Sequence, residues 1–403
     1  MDRIKIKIKT SKYTRKIYFL LKFLYMFFYN LRLYIFGKIF SLFPIDNKKI
    51  VVSNYNGKGY GDNPKYIIDF IINNHKNKYK IVWLVNEIKD LDFPSDVIKI
   101  KNESLRAIYE LSTAKIWIDN TTKRFSPPKR KKQFYIQTWH AGIGMKKVGI
   151  ETKNVDKAYL KSVKKDNRKI DAFISNCKYR TEIYRNSFMY TGKIIEQGIP
   201  RNDFLVNNSY DIKKIKSNLK LDDEKIILYA PTYRKDSIVE TYSLDLERMK
   251  RVFENKFGTK CVVLVKLHPY ISSFSYNFDN KNILNVSKYS DIMELLAISD
   301  VVISDYSSLI FDYSITRKPV YLFVPDLDDY IKKEGLNFKM EELPFIYAKT
   351  NDELEEAIIN FDNKLYNRRI DAFFELVGLN ETGKSCEIIS KLIEKWGVDN
   401  EKL

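Results

Sequence analysis

The sequence predicts a protein of two α/β domains, each built on a parallel sheet, with a ligand cleft between them. Three observations predict it. Past residue 46, short apolar runs alternate with segments of helical period, which is the pattern of successive βα units. That pattern stops in a polar stretch at 206–225 and then restarts, and 403 residues are ample for two domains. Polar, loop-forming clusters follow five of the apolar runs, and in open parallel sheets ligands bind beyond the carboxyl ends of the strands.

The chain begins with a segment of different character, residues 1–46. The net charge is +19, and residues 1–50 hold twelve Lys and Arg against Asp2 and Asp46, so +10 of it lies there. Such a segment suits an anionic surface, lipid or nucleic acid. The stretch "KIYFLLKFLYMFFYNLRLYIFGKIFSLFP" (16–44) is aromatic and apolar but interrupted by Lys22, Arg32 and Lys38, so no window of about 18 uncharged apolar residues exists to span a bilayer. It is too long for a signal peptide, and no small-residue cleavage site follows. It reads as a basic amphipathic helix lying in a membrane interface. The alternative is a helix packed on the protein's own body. "RIKIKIK" (3–9) alternates strictly and is expected either to pair as a strand or to lie extended over headgroups.

The first domain, 47–205, carries predicted strands at 48–54, 80–86, 114–120, 133–138, 171–176 and 193–198. The second, 206–382, carries them at 226–231, 261–267, 283–287, 300–305 and 319–325. Residues 383–397, "GKSCEIISKLIEKWG", predict a closing helix in the last segment, 383–403. Three widely spaced cysteines with no CxxC argue against a disulfide scaffold and fit a reducing compartment. No HExxH, Cys/His metal set, GxSxG or well-placed DxD pattern is present.

The strand-end clusters hold the unusual residues. "QTWHAGIGMKKVG" (137–149) contains His140, a natural general base for an alcohol nucleophile because its pKa lies near neutrality. In the same loop Gly142 and Gly144 permit close backbone approach, and Trp139 offers a stacking face. Lys146 and Lys147 meet phosphate or water. "SDYSSLIFDYS" (304–314) sets Ser307 and Ser308 at a helix start, a ready phosphate site or a plain cap, with Asp312 one turn on. Because Asp312 would repel phosphate, it suits hydroxyl groups. "VKLHPY" (265–270) places Lys266 and His268 on one side of a strand end. "APTYR" (230–234) and "GIPRND" (198–203) offer Arg234 and Arg201, which fit phosphate as bidentate forks or lie on the surface. "SNYNGKGYGDNPKYI" (53–67) is either a wall of an acceptor site or a βα turn.

In this order and spacing, "GKGYGDNPKYI", "WHAG…KKVG", "GIPRND", "APTYR", "KLHP" and "SDYSSLIFDYSITRKPVYLFVPDLDDY" resemble the CDP-glycerol glycerophosphotransferase family, over about residues 50–390. The resemblance implies a glycosyltransferase-B-type fold of two doubly wound domains. It implies a peripheral enzyme on the cytoplasmic face of the membrane that transfers glycerol phosphate, or in relatives ribitol phosphate, from a CDP-alditol to a polyprenyl-diphosphate-linked glycan or polymer. Carried onto matching positions, it makes His140 and His268 the catalytic histidines. It places the CDP-glycerol contacts on Trp139, Ala141, Gly142, Ile143, Arg201, Pro231, Thr232, Lys266, Leu267, Ser307, Ser308 and Asp312, and Arg234 is read as a further phosphate cation. No cofactor, obligatory metal or nucleic-acid partner is expected. The departure is "WHAGIG", where many members have Trp-His-Gly-Thr-Pro. A nucleotide-sugar transferase of the same fold, and a basic binding module without catalysis, are the rival readings.

Overall fold

The computed structural model describes residues 12–88, 93–123, 125–152, 157–234, 243–267 and 282–398. "RIKIKIK" and His268 fall outside the described residues.

Among the described residues, thirteen strands form two sheets. The first holds β1 (Asp46–Ser53), β2 (Lys80–Val85), β3 (Val97–Lys101), β4 (Ala114–Asp119), β5 (Phe134–Gln137), β6 (Ala172–Ser175) and β7 (Lys193–Glu196). Their order is β3-β2-β1-β4-β5-β6-β7. The second holds β8 (Lys225–Tyr229), β9 (Cys261–Val265), β10 (Ile283–Asn285), β11 (Val301–Ser304), β12 (Val320–Phe323) and β13 (Ile346–Ala348), in the order β10-β9-β8-β11-β12-β13. The pairings about the two central strands, β1 with β2 and β4 and β8 with β9 and β11, are parallel. Central strands are buried along most of their length, as the βα crossovers that cover both faces require. In each sheet the strand order reverses at a central pair, β1/β4 and β8/β11, and a crevice opens at such a reversal.

All eleven predicted strands are present. The two that were not predicted, β3 and β13, are edge strands of five and three residues with partly exposed side chains. Half-solvated edges lack the continuous apolar run that marks a buried strand.

The two halves share a core. Tyr66, Ile143, Met145, Cys177 and Leu205 of the first join the main cluster beneath the second sheet. Polar contacts add to it: Lys65 Nζ and Tyr66 Oη reach Asp291 at 3.0 and 2.9 Å, and Asn337 Nδ2 donates to the carbonyls of Gly144 and Lys146 at 2.8 Å each. The closing helix, Ser385–Val398, crosses back to the first sheet. There Ile389 and Ile393 enter the core and Trp396 stacks on Phe134 at 4.5 Å.

Part of the amino-terminal segment packs on the protein's own body, which was the alternative reading. The helix Lys12–Phe40 docks through Tyr29 and Leu33 against Ile108, with Tyr29 edge-on to Phe125 at 4.8 Å. Its other face leaves Leu20, Leu21, Tyr25, Phe27 and Phe28 more than half exposed. No described helix is long and apolar enough to cross a membrane.

Candidate active site

A cavity of about 740 Å³ lies between the two sheets, lined by residues of both halves. Tyr55 follows β1 and His140 follows β5; Thr232 follows β8, Lys266 follows β9 and Ser307 follows β11. The clusters predicted to converge do converge.

His140 is held by its neighbours. Its Nδ1 lies 3.0 Å from the carbonyl oxygen of Asn120. A carbonyl only accepts, so Nδ1 carries the proton and Nε2 is left as the acceptor. Burial lowers the imidazole pKa below its ordinary value of 6.5, with Asp62 opposing the shift, so the ring is neutral at pH 7. Trp139, just before it, has φ of 53°, a left-handed conformation that strains a bulky residue by roughly 1–3 kcal/mol. Three bonds hold the strained turn. Gln137 Oε1 accepts from Trp139 N at 3.0 Å, while Thr138 Oγ1 and Asn63 Nδ2 donate to the Trp139 carbonyl at 3.0 and 2.9 Å. Tyr55 and Asp62, which also line the cavity, have positive φ as well, 43° and 54°. Backbone strain therefore gathers at this site, as it does where geometry serves function.

Arg201 bridges the two halves. Its guanidinium donates to Asp62 at 3.1 Å, to Asp312 at 2.6 Å and to the His140 carbonyl at 2.8 Å. Burial alone would lower its pKa, but the two carboxylates outweigh that and the net shift is upward. Asp312 also accepts from Asn202 Nδ2 at 3.2 Å, and its own pKa is raised by burial against the pull of Arg201. Arg201 lines the cavity, but it serves as a clasp between acids, not as a free phosphate fork.

Lys266 donates to the carbonyls of Ser287 and Tyr289 at 2.9 and 2.5 Å, and burial brings its pKa down to about 8. Thr232 donates through N and Oγ1 to Asp305 at 2.9 and 2.5 Å. Ser308 precedes the helix Leu309–Ser314 without a side-chain cap bond, so its hydroxyl is not spent on the helix.

Of the other predicted contacts, Ala141, Pro231, Leu267 and Ser307 line the cavity. Three expectations are corrected. Arg234 is not a lining residue: it pairs with Asp305 at 3.0 Å and Asp326 at 2.8 Å and sits over the stacked rings of Tyr306 and Tyr330. Gly142 faces protein, since a Cβ there would lie 2.3 Å from Asn176 Nδ2. Ile143 is buried in the core shared by the two halves. Sequence reasoning also missed Tyr55, Asp62 and Arg180 as individuals. Tyr55 and Asp62 sat inside the Gly-rich turn already noted at 53–67. The only signal for Arg180 was its place four residues past the predicted strand at 171–176.

Two parallel sheets meeting at their carboxyl ends over one cavity form an α/β architecture consistent with the glycosyltransferase-B-like class. A family model for CDP-glycerol:poly(glycerophosphate) glycerophosphotransferase matches residues 35–395, and the chain belongs to that family. It is 32% identical to the teichoic acid poly(glycerol phosphate) polymerase of Bacillus spizizenii, over 89% of this chain and 94% of the relative. It is likewise 32% identical to the Bacillus subtilis polymerase of that name over 88% of this chain, but there it spans only 50% of the relative's length. A solved structure of the wall teichoic acid polymerase TagF superposes with a TM-score of 0.81 at 30% identity, covering 94% of this chain and 97% of the other.

Proposed function

We propose that this protein transfers glycerol phosphate from CDP-glycerol to a hydroxyl of a membrane-held, lipid-linked acceptor, releasing CMP, in the synthesis of a teichoic acid or related cell-surface polymer. The observation that carries the reading is His140: a neutral imidazole, its tautomer set by Asn120, on the wall of a cavity shared by both domains. The acceptor oxygen attacks the phosphorus that bears glycerol and forms the new P–O bond. The bond from that phosphorus to the oxygen bridging to CMP breaks, CMP leaves with the electron pair, and the hydroxyl proton passes to His140 Nε2. Such transfers depend mostly on positioning and on charge stabilisation. Ser307, Ser308 and the third N–H of Lys266 are donors for the diphosphate. Asp312 keeps acceptor capacity beside Arg201 and Asn202 for the glycerol hydroxyls, since a carboxylate offers about four lone-pair sites. His268 acts as a second histidine at the donor.

The test is incubation of the full chain with CDP-glycerol or CDP-ribitol and a panel of lipid-linked acceptors. CMP release from CDP-glycerol is the expected result. Release from CDP-ribitol alone would change the alditol, and a nucleoside diphosphate product would replace the reading with glycosyl transfer.

The exposed face of the Lys12–Phe40 helix supports attachment to an anionic membrane surface, since a large exposed apolar patch marks an interaction site. Each buried side chain of this size contributes roughly 1.5–3 kcal/mol. The full-length double variant Leu21→Glu, Phe28→Glu will therefore fail to co-sediment with vesicles containing anionic lipid while its unfolding temperature stays unchanged. Wild-type-like sedimentation would remove this helix from the membrane contact.

A further inference from the structure

Three of the cations that sequence reasoning offered to phosphate are largely spent inside the protein. Arg201 is held by Asp62 and Asp312, Arg234 by Asp305 and Asp326, and Lys266 donates to two carbonyls. Two other cations line the same cavity and have no carboxylate within ion-pairing distance among the described residues: Arg180 and Lys146. Arg180 is only 2% exposed. Its Nε donates to the Gly142 carbonyl, and its guanidinium lies so close to Gly144 that a Cβ there would come within 2.7 Å of it. Its charge reaches His140, whose pKa it helps to lower. Lys146, two residues beyond Gly144, lies 5.4 Å from the ring of Tyr330 across the cleft, and its Nζ makes no hydrogen bond among the described residues. A buried guanidinium without a counter-charge is unfavourable unless an anion completes it. The other two buried arginines among the described residues, Arg201 and Arg234, are each paired with acids.

We propose that Arg180 and Lys146 form a second anion subsite, on the first-domain side of the cavity beside His140, which holds a phosphate ester group of a substrate. This rests on the proposed transferase reading and deepens it. The phosphate belongs either to the donor's diphosphate or to a phosphodiester at the end of the acceptor. An acceptor phosphodiester bound there would set the terminal hydroxyl next to the base, and the enzyme would then favour acceptors already ending in glycerol phosphate.

Lys146→Gln, Arg180→Gln and Arg180→Lys, each checked for an unchanged circular dichroism spectrum, are compared with wild type in three measurements. These are CDP-glycerol affinity by calorimetry, KM for an acceptor ending in glycerol phosphate against one ending in a neutral sugar, and binding of inorganic pyrophosphate. Losing one charge-assisted contact is expected to weaken binding by roughly 10- to 100-fold, with Arg180→Lys intermediate. Weakened CDP-glycerol binding assigns the subsite to the donor. A KM raised only for the phosphate-ended acceptor assigns it to the acceptor. Unchanged values in all measurements for Lys146→Gln, which loses no internal hydrogen bond, overturn the proposal. Pyrophosphate binding reads the subsite without turnover, so a wild-type protein that binds it but releases no CMP would sink the transferase reading and leave the subsite standing.

Discussion

His140→Ala will lower turnover by roughly 10²- to 10⁴-fold, the usual contribution of a positioned general base, while CDP-glycerol binds with nearly unchanged affinity. The residue touches the cleft through one ring, and the bonds that hold its loop are made by Trp139 and Gln137, which the substitution leaves in place. CMP release under saturating donor measures the first effect and calorimetry the second. The pH profile adds a sign. A base works only when deprotonated, so kcat/KM falls as pH drops through the pKa of His140, which burial sets below 6.5. Because Asp62 raises that pKa, Asp62→Asn will move the acid limb to still lower pH. An acid limb that stays in place in His140→Ala, or near-normal turnover of that variant, would exclude His140 as the base.

Arg201→Ala will destabilise the protein by about 3–5 kcal/mol, the cost of removing one partner from a buried charge group. Asp62 and Asp312 would be left facing each other across the cleft with little else to neutralise them. The carbonyl of His140 would lose its guanidinium donor, so turnover falls in the same variant. Arg201→Lys keeps the charge but not the fork that reaches two carboxylates and a carbonyl together, so it will recover only part of the loss. Denaturant unfolding is the check. A midpoint for Arg201→Ala equal to wild type would mean that the clasp contributes nothing to the folded state. A double variant with Asp312→Asn, less destabilised than the two single changes predict, would locate the coupling in this pair.

Much of the fold was legible because its signals are local. β1, β4 and β8 are apolar runs that no solvated element would tolerate, and the restart after 206–225 separates the two sheets. β3 and β13 escaped because an edge strand exposes half its side chains. The site was legible as a set of loops, since the clusters around His140, Thr232, Lys266 and Ser307 all lie where strands end. The role of each cation was not legible. Whether an arginine meets phosphate or a carboxylate depends on which acids the fold brings beside it, and those lie far away in sequence. Asp62 and Asp312 are 139 and 111 residues from Arg201.

The "WHAGIG" stretch shows the same division. Its place after a strand, its histidine and its glycines are sequence facts, and they sufficed to mark a functional loop. A Cβ at Gly142 or Gly144, however, would meet Asn176 or Arg180, so these glycines make room for the protein's own side chains. By itself the sequence determined two parallel sheets, the convergence of strand-end loops and a histidine suited to take a proton. Only the tertiary structure decided which charges are spent inside the protein and which stay open to a substrate. Sheet formation follows from short-range apolar periodicity, whereas the pairing of Arg201 with Asp62 and Asp312 is settled by contacts between residues more than a hundred positions apart.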